Sequence, residues 1–174
     1  MRSRAAMRGA LLSLLRERPL DEITGAVIAE QAGIGYSTFF RHYADVRALL
    51  IDTVGTITDE LAQAMMPALL AGDGPAAART LLAAVAERRL DFGALLAGAG
   101  DALRVELARQ VVGRLEALPD LSPDWLPRHL GVRVAVAATV ELLDWWLTEE
   151  PQRSPEAVAD LLNALVLLPL SAGA

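Results

Sequence analysis

The amino-acid sequence predicts an all-α fold of about nine helices, arranged as a three-helix N-terminal module followed by a larger helical domain. Apolar residues recur every three or four positions through most of the 174 residues, which is the spacing of a helix face. No stretch alternates apolar and polar residues for long enough to indicate a strand. Proline, glycine and helix-capping residues fall between the apolar runs and divide them into separate helices.

The first predicted helix covers about residues 1–18. Ala6, Ala10 and Leu14 lie four residues apart and form an apolar stripe, and the arginines lie mostly outside it. Pro19 ends this helix, because its ring excludes the preceding helical turn and it has no N–H to donate.

Residues 24–43 are predicted to form two short helices joined by a tight turn. Thr24 is a suitable N-cap for the first, and Gly33 ends it because glycine readily takes the left-handed conformation. In the second, Phe39 is expected to point into the core. Two short helices joined in this way, with polar residues outward on the second, indicate a helix-turn-helix. The alternative is a three-helix packing unit whose polar residues are merely solvated.

A fourth helix is expected to start after Asp45, its N-cap, and to keep its apolar spacing to about Met66. Pro67 and residues 71–75 (Ala-Gly-Asp-Gly-Pro) are expected to break the chain there. No comparable break separates the N-terminal module from the fourth helix. We therefore predict that this helix belongs to both parts.

Five further helices are predicted, over about residues 76–90, 92–97, 101–118, 128–150 and 154–169. The last two are apolar on nearly every side, so each needs a second covering surface. Either they fill the middle of a monomer, or they meet a second copy of the chain. We predict a homodimer interface formed by residues Val136, Val140, Leu143, Leu147, Val158, Leu161, Leu162 and Leu165.

The composition excludes several classes of site. The chain has no Cys, and its two histidines, His42 and His129, are far apart, so we expect no disulfide and no metal site. No apolar stretch reaches the ~18 residues of a membrane span, and the N-terminal one is too short for a signal peptide. The prediction is a soluble, cytoplasmic protein without membrane contact.

The charge is distributed unevenly along the chain. Residues 1–50 hold seven Arg and five acidic residues, whereas the remaining 124 hold nine Arg and seventeen acidic residues. A basic N-terminal segment followed by an acidic remainder suggests a DNA-binding module attached to a domain that binds something else. Chance clustering is the alternative on charge alone.

Catalytic motifs are absent from the sequence. Residues 98–101 (Gly-Ala-Gly-Asp) follow a predicted helix and lack a third glycine, so we interpret them as a helix connection. There is no Gly-x-Ser-x-Gly, no phosphate loop and no His-Glu-x-x-His, and the paired acids are adjacent in sequence. We expect no enzyme activity, no catalytic residues and no cofactor.

The stretch 24–50 resembles the helix-turn-helix of the tetracycline-repressor (TetR) family of bacterial transcription regulators. The residues that carry the resemblance are 28–30 (Ile-Ala-Glu), 32–34 (Ala-Gly-Ile), 37–43 (Ser-Thr-Phe-Phe-Arg-His-Tyr) and 48–50 (Ala-Leu-Leu). Two departures stand out: Val46 replaces a common phosphate-binding lysine, and Phe40 replaces a common tyrosine. The resemblance and the motif imply DNA contacts from Thr24, Gly35, Tyr36, Ser37, Thr38, Arg41, His42, Tyr43 and Arg47.

The resemblance further implies a DNA-binding domain at residues 1–46 and a ligand-binding and dimerisation domain at 47–174. Such a protein would repress as a dimer on a double-stranded DNA operator until a small-molecule effector releases it. Two other classes stay open: a dimeric ligand- or protein-binding module with a weak or vestigial DNA-binding function, and a small helical enzyme. The residues expected to form the effector pocket are Phe92, Leu96, Arg104, Trp125, His129, Glu141, Leu142 and Trp145.

Overall fold

A computed structural model describes residues 2–115 and 125–171, with side chains except at 2, 99–104, 107–108, 114–115 and 170–171. This part of the chain contains no strand, and the all-α prediction is confirmed. The nine α-helices are α1 (Arg2–Leu15), α2 (Gly25–Gln31), α3 (Tyr36–His42), α4 (Val46–Leu70), α5 (Gly74–Glu87), α6 (Arg89–Leu115), α7 (Arg128–Thr148), α8 (Pro155–Leu162) and α9 (Leu168–Ser171). A 3₁₀ turn covers Leu20–Glu22, and a π-helical turn, Asn163–Leu167, joins α8 to α9.

The chain divides into two compact units, and α4 contributes residues to both. The first unit comprises Met1–Ile57 and Leu90–Leu103. Within it α1 packs on α2 and α2 on α3. Its fully buried side chains are Met7, Leu11, Ile28, Phe39, Leu49 and Val54.

The second unit comprises Thr58–Arg89 and Arg104–Ala174. Its core forms where α5 packs against α8, with Leu82 and Val158 fully buried. Trp146 of α7 is also fully buried, and its indole Nε1 donates a 2.9 Å hydrogen bond to the Arg153 carbonyl. The indole is therefore both covered and satisfied, as a buried tryptophan requires.

Local capping signals set most helix boundaries. The Thr24 hydroxyl accepts from the Val27 amide at 3.3 Å, and the Asp45 carboxylate accepts from the Ala48 amide at 2.7 Å. Gly33 has φ +64°, which confirms its left-handed conformation at the end of α2. The Ser154 hydroxyl accepts from the Ala157 amide at 3.2 Å and caps α8.

Two predicted breaks are wrong, because neither residues 98–101 nor Pro67 interrupts the helices that contain them. α6 runs without interruption through residues 98–101, where we predicted a connection between two helices. A Cβ on Gly98 would stand 2.9 Å from Leu15 Cδ2, so glycine lets α6 approach α1 closely. Pro67 lies inside α4, which continues for three more residues to Leu70.

Candidate nucleic-acid interface

The α2–turn–α3 element presents a polar outer side and a buried inner side. Phe39 is fully buried, and a Cβ on Gly25 would stand 2.8 Å from its ring, so α2 and α3 approach closely there. Ser37 and Arg41 lie four residues apart on the opposite, exposed side of α3. Tyr36 is 61% exposed, whereas Thr38 and His42 are half-buried at the other edge. The inward direction predicted for Phe39 is therefore confirmed.

Three of the residues predicted to contact DNA lie outside α3 or at its start. Arg47 is exposed in the first turn of α4. Gly35 is exposed at the N-cap of α3, and Thr24 is exposed at the N-cap of α2. Their exposure leaves these positions accessible from solvent, and their DNA contacts stay a prediction.

Tyr43, for which a DNA contact is also predicted, lies largely inside the first unit, and its DNA contact stays a prediction. It is buried, and its hydroxyl donates a 2.6 Å hydrogen bond to Asp52 Oδ2 of α4. Arg8 of α1 donates to the same oxygen at 3.0 Å, and the Arg4 guanidinium lies 5.9 Å from the centre of the Tyr43 ring. One carboxylate therefore ties α1 and the end of α3 to α4.

This cluster shifts the pKa values of two groups in opposite directions. Burial, and then the hydrogen bond and charge of Asp52, raise the pKa of Tyr43 from 10.0 to about 12. Burial by itself would raise the pKa of Asp52, but the hydrogen bonds from Tyr43 and Arg8 outweigh it and lower that pKa below its ordinary value. Both shifts favour the neutral phenol beside the ionised carboxylate.

Alkaline titration of Tyr43 tests this arrangement. The chain has two tyrosines, so a Tyr36→Phe variant isolates Tyr43. We expect its phenolate absorbance to appear with a midpoint near pH 12 rather than 10. Because the folded pKa is the higher one, the neutral hydroxyl stabilises the fold fully below pH 10, and this stability is lost as the pH rises towards 12. Asp52→Asn in the same background should lower the midpoint, and an unchanged midpoint would contradict the role given to the carboxylate.

The residues expected to line an effector pocket are divided between the two units, and the pocket they would form stays a prediction. Phe92 and Leu96 belong to the first unit, and Phe92 is part of its buried core. The others belong to the second unit, where His129 and Glu141 are exposed and Leu142 and Trp145 half-buried. The side chain of Arg104 lies outside the described residues.

Trp125, which was expected to line the effector pocket, is 68% exposed. The adjacent Leu126 is half-buried. A Cβ on Gly131 would stand 2.8 Å from Leu126 Cδ2, so the absence of a side chain at Gly131 leaves room for Leu126 against α7.

The second unit has an open groove of about 590 Å³ along the C-terminal half of α4. Ala62, Met66, Pro67 and Leu70 line it with Asp59 and Gln63, so its surface is mostly apolar. None of the residues predicted for the effector pocket lines this groove. Ala62, Met66 and Leu70 recur every four residues along α4, and from the apolar spacing of this helix we predicted its extent but no groove.

The residues predicted for the dimer interface separate by burial. Val140, Leu143, Val158 and Leu162 are buried within the chain itself, so other helices of the unit already cover them. Val136, Leu147 and Leu161 are half-buried, and Leu165 is 66% exposed. Leu130, Val134 and Leu168 are further exposed apolar residues of α7 and α9 that the sequence analysis did not include. A dimer interface on these helices would therefore consist of the half-buried and exposed apolar residues and not of the four buried ones.

The described part of the chain has neither a cluster of metal-binding side chains nor a helix that could span a membrane. No group of three or more His, Cys, Asp or Glu side chains there is placed to hold a metal ion. No helix in residues 2–115 and 125–171 has both the length and the apolar character of a membrane span.

Comparison with known proteins gives a match in structure and none in sequence. No protein-family model matches the chain, and no curated protein matches it either. The structure is similar to that of FadR, a fatty acid degradation regulator from Bacillus halodurans, with TM-score 0.73, 14% identity and coverage of 95% of this chain and 94% of that one.

Two further solved structures match over nearly their whole length. A TetR transcriptional regulator from Streptococcus agalactiae 2603V has TM-score 0.62 and 21% identity, covering 94% of this chain and 93% of its own. NalD, the secondary repressor of the MexAB-OprM multidrug efflux pump in Pseudomonas aeruginosa, has TM-score 0.63 and 16% identity, covering 97% and 95%. The chain therefore has the all-α fold of the TetR-family transcription regulators.

Proposed function

We propose that this chain is a cytoplasmic, non-enzymatic transcription regulator, a dimeric repressor that leaves its DNA operator when a small molecule binds. Residues 1–46 would read the DNA, and residues 47–174 would bind the effector and the second subunit. Similar structures include regulators of fatty acid degradation and of an efflux pump, which supports regulation rather than catalysis.

The outer side of α3 is the observation that carries this proposal. A hydroxyl residue, Ser37, and a guanidinium, Arg41, are exposed on it, and Arg47 is exposed a few residues later. Arginine binds phosphate and guanine, and hydroxyl groups bind phosphate or base edges, so this set suits a helix lying in the major groove. Phe39 is buried behind α3 and holds the helix in place, which limits the conformational entropy that α3 would lose on binding DNA.

The apolar surface of the second unit supports the dimer. Leu161, Leu165 and Leu168 recur every three or four residues along the segment from α8 to α9, so they lie on one side of it. Leu165 and Leu168 are exposed. Contiguous exposed apolar residues of this kind are typical of a protein interface. A two-fold dimer would also present two α3 helices to a palindromic operator.

The groove along α4 supports an apolar effector. Its lining is mainly aliphatic, with Asp59 and Gln63 as polar groups that could orient a ligand. α4 carries residues of both units, as α6 does, and it also lines the groove, so α4 is the element we propose to transmit the ligand signal. A screen of small apolar molecules for release of bound DNA tests this part. Linkage requires that DNA weaken ligand binding by the same factor as ligand weakens DNA binding.

The direct test of DNA binding is a selection. Purified protein is mixed with random duplex fragments, and the retained fragments are sequenced and titrated at several salt concentrations. A regulator should enrich one palindromic sequence and bind it with a steep loss of affinity as salt rises, because bound phosphates release counterions. Retention without enrichment, or no retention, would favour the alternative of a ligand- or protein-binding module with vestigial DNA binding.

Arg47→Ala is predicted to weaken specific and non-specific DNA binding alike. If Arg47 replaces the missing lysine at Val46, each lost phosphate contact should reduce the slope of log affinity against log salt by about 1. Arg79→Ala removes the same charge from an exposed position on α5 and should leave the slope unchanged. An equal slope for Arg47→Ala and the parent would show that Arg47 touches no phosphate.

A further inference from the structure

Two aromatic rings are exposed side by side on α3, at one edge of the proposed reading surface. Tyr36 and Phe40 lie one helical turn apart, with ring centroids 4.9 Å apart in an edge-to-face arrangement, and they are 61% and 48% exposed. The buried ring of Phe39 supports Phe40 from behind at 5.1 Å. Phe40 is therefore held in place although half of its surface faces solvent.

An exposed phenylalanine gains nothing from the phosphate backbone. Phe40 has no hydrogen-bond donor, and phosphate oxygens are charged and strongly hydrated. Its ring is favourably covered only by an apolar group. Among the groups that base pairs present in the major groove, the 5-methyl group of thymine is the apolar one.

We propose that Phe40, supported by Tyr36, is a specificity-determining residue that recognises thymine through its 5-methyl group. This inference rests on the proposed DNA-binding function and adds the base that one position of α3 selects. The neighbouring Ser37 and Arg41 would supply polar contacts to phosphates or other base edges. Phe40, where similar proteins commonly have a tyrosine, would then make an apolar contact with a base in place of a hydrogen bond.

The chemistry next to the rings favours DNA over a protein partner. Arg41 follows Phe40 directly, Arg47 is exposed in the same unit, and the basic excess of the first 50 residues suits a polyanion. Two rings among such charges form a small apolar area inside a basic surface. A protein interface would need an apolar patch of several hundred Å².

The test replaces thymine by uracil, which lacks only the methyl group. The full-length protein selects fragments in parallel from two random duplex libraries, one containing thymidine and one containing deoxyuridine throughout. The sequence enriched from the thymidine library is then made with deoxyuridine at one position at a time, symmetrically in both half-sites. At one position we expect affinity to fall about fourfold per methyl, or about fifteenfold for the two half-sites together.

Phe40→Ala links that loss to the proposed residue. The variant should bind the thymidine site more weakly and should no longer distinguish thymidine from deoxyuridine at that position. Arg41→Ala is the matched control on the same helix: it should weaken binding and keep the full deoxyuridine effect. Because Phe40 is half exposed, Phe40→Ala should fold, and thermal unfolding of the variant checks this.

The outcomes separate this inference from the function on which it rests. If neither library yields an enriched sequence, the proposed function fails and the inference fails with it. If both libraries yield the same sequence with equal affinity, or if Phe40→Ala keeps the deoxyuridine effect, DNA binding stands and the thymine contact is overturned. If Phe40→Ala no longer binds a co-purified protein but keeps the DNA selectivity of the parent, the two rings belong to a protein interface instead.

Discussion

Leu165→Arg is expected to convert the proposed dimer into a folded monomer and to weaken operator binding by roughly 10³-fold or more, the span that separates specific from non-specific binding. Leu165 is 66% exposed in the single chain, so the substitution buries no charge within a monomer. In a two-fold dimer it would bury two unpaired guanidinium groups at ~several kcal/mol each. Sedimentation and DNA titration on the same preparation measure both effects.

Leu90→Arg is the matched control for this variant. Leu90 is a leucine of similar exposure, 69%, in the first turn of α6, and it is not part of the α8–α9 segment. We expect it to leave assembly and DNA binding unchanged. A Leu165→Arg protein that remains a dimer with full affinity would remove the α8–α9 segment from the interface, whereas a dimer lost in both variants would indicate general destabilisation.

Trp146→Ala should cost about 3–5 kcal/mol of unfolding free energy, the range for deleting a fully buried large aromatic side chain. The indole contacts more than the apolar core. Its Nε1 donates to the Arg153 carbonyl at 2.9 Å, and the Arg89 guanidinium lies 4.6 Å from its ring centre. At about 2–4 °C per kcal/mol for a chain of this size, the melting temperature should fall by roughly 10–15 °C.

Trp125→Ala removes the same side chain from an exposed position of the same unit and should cost less than about 0.5 kcal/mol. Trp146→Phe keeps an aromatic ring but loses the hydrogen bond to the Arg153 carbonyl, so we expect an intermediate loss. Urea unfolding followed by circular dichroism orders the three variants. Equal losses for Trp146→Ala and Trp125→Ala would show that Trp146 does not hold the core of the second unit.

The sequence by itself determined α1, α2, α3 and the start of α4, and it determined which residues of α3 form its inner and its outer side. Thr24, Gly33 and Asp45 act on backbone groups within one helical turn, so residue type alone predicts where α2 ends and α4 begins. Helical periodicity predicted in the same way that Phe39 is buried and Arg41 exposed. These signals are local, and the fold does not overrule them.

Only the tertiary structure decided which side chains are buried by distant parts of the chain and where α6 continues through glycine. Tyr43 is buried where Asp52, nine positions later, accepts a hydrogen bond from its hydroxyl and where Arg8 of α1 donates to the same carboxylate, and no periodicity encodes that meeting. Gly98 stays helical because Leu15 needs the space beside it. Which apolar residues of α8 and the following π-helical turn remain exposed likewise depends on which of them α5 and its neighbours cover: Val158 is covered and Leu165 is not. Each of these outcomes follows from contacts between residues distant in sequence, and composition and spacing carry no record of such contacts.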